Sequence, residues 1–236
     1  MSDTRLLEKF LPELEACRGV EQFGGFHHLD VLDHSIEALL RLVTTFPDSS
    51  LETRLAMLFH DIGKPAAKTW DVVRERWSFF AHDQIGAKVT RALLNRIGFD
   101  EVLIERVSSM VDRHMIRLPA DQSNAARFVR RNQKILPELL QVMIADREAA
   151  RGTASSEHAR LAYQHQIDMV LEAMQQNSSG KILMNGEQIM AFLNLKPGKA
   201  VGLALEFLKT LQETGEVKNL EQAEKALLEW SKILID

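Results

Sequence analysis

Six residues of this chain, His34, His60, Asp61, His82, His114 and Asp146, are of the types that hold divalent cations. The densest point is residues 58–65, LFHDIGKP, where His60 and Asp61 end an apolar run and Gly63-Lys64-Pro65 stops it. A carboxylate at a helix C-terminus gains nothing from the partly negative end of the dipole and favours a nearby cation. Four imidazoles and two carboxylates form a mixed N/O donor set that suits Mn, Fe, Co, Ni or Zn and admits Mg. In this scheme His34, His60, Asp61 and Asp146 hold one ion, and Asp61 bridges to a second on His82 and His114. Two ions sharing a carboxylate acidify a water and clamp phosphoryl oxygens during in-line displacement. Asp61 and Lys64 are the candidate catalytic residues, with Lys64 placed to neutralise a phosphate and Arg147 beside Asp146 offering the same.

These residues matter only if helices aim them inward. Helical spacing predicts segments over 3–18 (with a distortion at Pro12), 29–46, 51–61 behind a Ser50 cap, 83–97 and 100–114. Further helices are expected at 123–132, 136–151, 155–176, 186–193, 197–214 and 219–234, and a short hairpin or ordered loop near 69–80. The expected fold is therefore all-α: a helical metal-binding domain over 1–178, then, past Asn177-Ser178-Ser179-Gly180, a small helical module over 179–236. On helical wheels the inner arcs are Val102, Leu103, Val107, Met110 and Val111, which include His114, and Ile85, Val89, Leu93 and Ile97, along which His82 projects. Asp146 falls inside the arc of Leu139, Val142, Met143 and Ala150, and His34 sits at the flank of the Leu32, Ile36, Leu39, Leu40, Val43 stripe.

A lone inward histidine is more often a hydrogen-bonded core residue than a ligand. Asp146 can instead pair with Arg127, Arg130 or Arg131, and Lys64 can be an ordinary solvated lysine. An unpaired buried carboxylate costs several kcal/mol, and one shared cation explains five such segments together.

With 236 residues, 45% hydrophobic and 26% charged, the chain can bury a full core. A net charge of −4 argues against a globally basic nucleic-acid binder but leaves room for local patches. Such patches are Arg127, Arg130, Arg131 and Lys134, and Lys199 behind Lys196-Pro197-Gly198, each equally readable as a solvated face or a helix start. The single Cys17 excludes an internal disulfide framework and, with no apolar run of spanning length, points to a cytoplasmic protein away from membranes.

The succession HHLDVLDHS, LFHDIGKP, FFAHDQIGA, VDRHM and IADREAARG resembles the HD-domain metal-dependent phosphohydrolases, and His82 and His114 make it similar to two-metal members. It is more similar still to the C-terminal half of bacterial tRNA nucleotidyltransferases and poly(A) polymerases, whose distal helices NGEQIMAFLNLKPGKAVGLALEFL and TGEVKNLEQAEKAL resemble. The resemblance implies hydrolysis of phosphodiesters, 2′,3′-cyclic nucleotides included, and a relation to RNA 3′ ends and tRNA. The nucleotidyltransferase head of that family has no counterpart in the residues before the HD region, so nucleotide addition is not expected of this chain alone. The competing expectation is an RNA-binding or docking module that serves a separate head, and a third is a metal that only holds helices together.

Overall fold

The structure is a computed structural model and describes residues 6–22, 29–150, 157–179, 183–213 and 216–233. Its architecture is all-α apart from one two-stranded hairpin among the described residues. Pro12 splits the first expected helix into α1 (Leu6–Phe10) and α2 (Pro12–Glu15). The site-bearing helices are α3 (Val31–Thr45), α4 (Leu51–Phe59), α5 (Lys64–Ala67), α6 (His82–Arg96), α7 (Glu101–Arg113), α8 (Gln122–Asn132) and α9 (Glu138–Ala149). Strands β1 (Thr69–Asp71) and β2 (Arg76–Ser78) pair antiparallel between α5 and α6, with Trp70 opposite Trp77.

Side-chain caps set several of these starts. Asp30, Ser50, Asp100 and Asp121 each accept a backbone N–H three residues on, from Asp33, Thr53, Leu103 and Asn124. Helix α4 lies at the middle and packs against α3, α7 and α9, while α6 packs on α7 and α5. Met57, Phe59, Leu42, Met110 and Leu139 are buried in this core.

The buried faces differ from the expected stripes in an instructive way. In α6 the inner line is His82, Gly86, Thr90, Leu93 and Leu94, and Ile97 is exposed. Gly86 is there because the backbone of Gly63 comes against it: a Cβ on Gly63 would meet Gly86 N at 2.5 Å and His82 O at 2.1 Å. Close backbone approach selects small residues, so the packed face carries little hydrophobicity. In α3 the face is Val31, Leu32, Ser35, Ala38 and Leu42, with Ile36 and Leu40 exposed, which places His34 inside and not at the flank. In α7 Val102 is exposed and Ile104 is buried.

Contacts divide the chain into two compact units, Met1–Asp168 and Met169–Asp236, and the division falls within α10 (Glu157–Ser179). That helix includes Asn177, Ser178 and Ser179, where the sequence suggests the boundary between modules, so the division lies about ten residues earlier; Gly180 lies outside the described residues. The second unit holds α11 (Gly186–Leu193), α12 (Lys199–Glu213) and α13 (Leu220–Ile233) around Ile189, Ala204, Leu208, Ala223 and Leu227. An Asn185/Gln188 capping box starts α11.

Candidate metal centre

Each of the six predicted ligands sits at a point where its element meets the middle of the bundle. His34 lies in α3 and Asp146 in α9; His60 caps the C-terminus of α4 and Asp61 follows it. His114 caps the C-terminus of α7, and His82 opens α6. Two helix C-termini thus direct their negative ends at the same place.

Three of the imidazoles are held by one local device. Nδ1–H of His60, His82 and His114 donates to the carbonyl three residues back, Met57 O at 2.7 Å, Phe79 O at 2.8 Å and Val111 O at 2.7 Å. A carbonyl only accepts, so the ring proton is on Nδ1 and the Nε2 lone pair faces the centre. Those three Nε2 atoms are buried and have no hydrogen-bond partner. They lie 3.2, 3.2 and 3.8 Å from oxygens of Asp61. Lone pairs aimed at a carboxylate repel it unless a cation or an added proton lies between them.

Asp61 joins two groups. Its Oδ2 lies 3.2 Å from His60 Nε2 and 3.7 Å from His34 Nε2, and its Oδ1 faces His82 and His114. His34, His60 and Asp61, and separately Asp61, His82 and His114, present ligand atoms within 4.8 Å of one another. Asp146 Oδ1 lies 3.0 Å from His34 Nε2 and 3.5 Å from His60 Nε2. Its closest ion-pair partners are these imidazoles and none of Arg127, Arg130 or Arg131. The orphaned Nε2 atoms and the mixed N/O donors fit a divalent ion of the Mn-to-Zn series, and the Nδ1–carbonyl bonds supply the outer hydrogen bonding that orients such ligands.

The charges respond to this packing. Burial pushes the Asp61 carboxyl up, but His60 and Lys64 hold it well below the usual carboxylate range. Burial likewise works against ionised Asp146, and His34 and His60 overcome it. For His60 burial disfavours the imidazolium, yet Asp61 and Asp146 raise its pKa to about 10. His114 goes the other way, to about 4, through burial and the charge on His60. Without metal, one proton on His60 therefore stands in for the cation.

This predicts a pH profile. His60 is raised from 6.5, so its contribution is complete below about pH 6.5 and is lost as pH rises through about 10. His114 is depressed from 6.5 to about 4, so it removes stability as pH falls across that interval. Lowered Asp61 and Asp146 add losses at still lower pH. Metal-free protein is expected to be most stable near pH 6.5, losing a few kcal/mol toward alkaline pH. Saturating divalent ion should abolish the alkaline loss, since ligated His60 has no second proton to give up. Urea unfolding across pH, with and without metal, checks both.

Lys64 is buried, with Nζ 2.6 Å from Asp61 Oδ2 and bonded to Gln22 Oε1. It is therefore neither a solvated lysine nor an unengaged phosphate ligand; it braces the carboxylate. A cleft of about 750 Å³ opens on Asp61, His82, His114 and Asp146, with Met143 and Tyr163 among its apolar walls. Arg147 lines it, its guanidinium 4.2 Å over the Tyr163 ring and donating to Ala159 O at 3.0 Å. Arg130, Arg131 and Lys134 are not brought to this cleft; they line a separate groove of about 690 Å³ with Lys88, Arg91 and Arg113. Arg127 borders a further groove beside Arg117. Lys199 begins α12 of the second unit. His27 and His28 lie outside the described residues. Cys17 is buried, and burial with the charges of Asp61 and Asp30 pushes its thiol up to about 12, which leaves it inert as a nucleophile.

Sequence reasoning missed Gln22, Arg117, Tyr163 and the Gly63–Gly86 contact. Only the last left a trace, a glycine in the middle of a helix in FFAHDQIGA.

Residues 27–151 match the family model for the HD domain, and the chain belongs to that family. It is 42% identical over 228 residues to the A-adding tRNA nucleotidyltransferase of Deinococcus radiodurans, covering 96% of this chain and 52% of that protein. The CC-adding tRNA nucleotidyltransferase of Thermus thermophilus is 39% identical over 225 residues, 95% of this chain and 50% of its own length. A bifunctional uridylyltransferase/uridylyl-removing enzyme of Caulobacter vibrioides is similar at 27% over 172 residues, 62% of this chain and 17% of the enzyme. The chain spans about half the length of the first two relatives. The HD family is a superfamily of metal-dependent hydrolases, and the His/Asp groups of this chain could hold a metal ion. Among the described residues no helix is long and apolar enough to cross a membrane.

Proposed function

We propose that this chain is a metal-dependent phosphohydrolase acting on phosphodiesters of a nucleotide, 2′,3′-cyclic nucleotides included, or of an RNA 3′ terminus. The observation that carries the reading is the aim of three buried, unpartnered Nε2 atoms at Asp61, whose two oxygens face separate histidine groups. His34, His60, Asp61 and Asp146 would hold one ion, and Asp61, His82 and His114 a second. Mn, Ni, Co, Fe, Mg and Zn all suit such donors to some degree. When bound, these ions supply Lewis acidity at phosphoryl oxygens and acidify a water molecule.

The chain's own residues do the rest. Asp61 fixes the spacing of the two groups, and Lys64 holds Asp61 in that pose and offsets its charge. Arg147, kept flat by Tyr163, presents a planar cation at the cleft wall for substrate oxygens. The apolar wall of Met115, Ile116, Leu118 and Met143 keeps water away from the substrate flank.

The test is turnover of 2′,3′-cyclic AMP, a bis-aryl phosphodiester and nucleoside monophosphates with Mn, Ni, Co or Mg. His60→Ala is expected to lose more than about a hundredfold, the range that removing even an outer-shell partner costs a metal site. Equal inertness of the unaltered protein and His60→Ala would contradict the reading.

A second reading has its own observation. The groove lined by Lys88, Arg91, Arg113, Arg130, Arg131 and Lys134 has more cations than the two carboxylates, Glu105 and Asp112, that share it and pair with Arg91 and Arg113, in a chain of net charge −4. It supports RNA docking beside a nucleotidyltransferase head, without turnover, and Lys199 at the start of α12 is a separate basic point of the second unit. Salt-sensitive tRNA binding that survives loss of the metal ligands, with no hydrolysis, would favour it.

A further inference from the structure

The centre has two mouths. One is the cleft toward Met143 and Tyr163; the other is a groove of about 340 Å³ running under the hairpin, lined by Arg74, Arg76, Trp77, Phe79 and Phe80. Lys64 and His82 line both, so the groove under the hairpin also borders the metal-ligand cluster. A monoester or a small cyclic nucleotide needs only one of them.

The second mouth is furnished for a strand. Phe80, at its rim, is 87% exposed, a full aromatic face left in water beside a groove that reaches His82. Trp70, 51% exposed, meets Trp77 edge-on at 5.1 Å, and Lys68 covers the Trp77 ring at 4.3 Å. Arg76 makes no ion pair among the described residues, and Arg74 stays largely exposed while paired with Asp71. Exposed aromatic rings interleaved with cations match successive bases and phosphates of a single strand.

We infer that the substrate is a phosphodiester linkage within a single-stranded oligonucleotide, one flank of which lies in the hairpin groove beside Lys64 and His82 with a base stacked on Phe80. The inference rests on the phosphohydrolase reading for what happens at the linkage, and on the hairpin groove for the strand.

Fluorescence anisotropy of labelled decamers, RNA and DNA separately, with the EDTA-treated full chain reads binding without turnover. The chain should bind at low salt, and Phe80→Ala should weaken binding about tenfold, within the range seen for loss of a base-stacking ring. Val73→Ser, at the exposed hairpin tip outside the groove, should change nothing. Equal loss for both decamers identifies a shared stacking and phosphate site; loss for RNA alone adds a contact to the 2′-hydroxyl. In the metal-loaded chain the decamer should inhibit bis-aryl diester hydrolysis at the concentration at which it binds. No binding, binding indifferent to Phe80→Ala, or binding that leaves diester hydrolysis uninhibited would each overturn the inference. So would a Phe80→Ala effect seen only as a changed sedimentation mass, which would assign the patch to a second copy. Failure of diester hydrolysis itself, with Phe80-dependent binding intact, would remove the phosphohydrolase reading and leave the strand site standing.

Discussion

Asp61→Asn is expected to cost more metal affinity and turnover than any other single change, because among the described residues this carboxylate alone touches both histidine groups. The amide keeps the shape but loses the charge that neighbours His60, His82 and Lys64. Bound metal should fall below detection at concentrations that saturate the unaltered protein, and diester turnover should drop by more than about a thousandfold, the scale of two-metal charge stabilisation. A stability cost accompanies it, since Lys64 is buried and is left facing a neutral amide; breaking a buried pair this way costs about 3–5 kcal/mol. Lys64→Met on top of Asp61→Asn should return most of that stability and none of the turnover. Chemical denaturation and metal analysis of the two variants separate the carboxylate's chemistry from its packing.

Gly63→Ala should be the most damaging change that touches no charged group. The new Cβ would lie 2.1 Å from His82 O, 2.5 Å from Gly86 N and 2.9 Å from Gly86 Cα. All three are backbone atoms, so no rotamer change relieves the overlap and the start of α6 must move away from α5. Overpacking costs about 1–3 kcal/mol, occasionally more, and rigid neighbours place this site at or beyond the upper figure. Because His82 is carried on the displaced backbone, weaker metal binding should accompany the lower urea midpoint. Gly86→Ala is the comparison: its Cβ would meet Gly63 N and a Val111 methyl at 3.3 Å, so a loss of about 1 kcal/mol is expected. Equal stability of Gly63→Ala and the unaltered protein would mean that α6 does not sit where this site requires.

The helices and their inward histidines were legible because periodicity and caps are local properties. Ser50 before a run of apolar residues, and Asp100 three residues before Leu103, mark helix starts wherever they occur. The buried faces of α3 and α6 were less so. The buried face of α6 carries Gly86, which meets the Gly63 backbone, and Thr90, and that of α3 carries Ser35 and Ala38; such small or polar residues give little hydrophobic signal. Lys64 was legible as a residue near the ligands but not as a brace, since its partner Gln22 comes from a segment with no helical pattern. The sequence offered Arg127, Arg130 and Arg131 both as a basic patch and as partners for Asp146, and linear order does not decide between the two. In three dimensions Arg130 and Arg131 line a different groove, whose other wall comes from Lys88 and Arg91 of α6. The shared tautomer of His60, His82 and His114 required coordinates, because it depends on which carbonyl each Nδ1 reaches.

Calorimetric titration of Mn²⁺ or Ni²⁺ into chelator-stripped protein, repeated for His60→Ala and Asp61→Ala, shows whether these side chains form one cation site. At least one ion per chain is expected to bind, with protons released near neutral pH as His60 gives up its second proton, and neither variant should bind saturably. Absence of saturable binding to the unaltered chain, or binding that both variants retain at equal strength, would contradict a shared cation site.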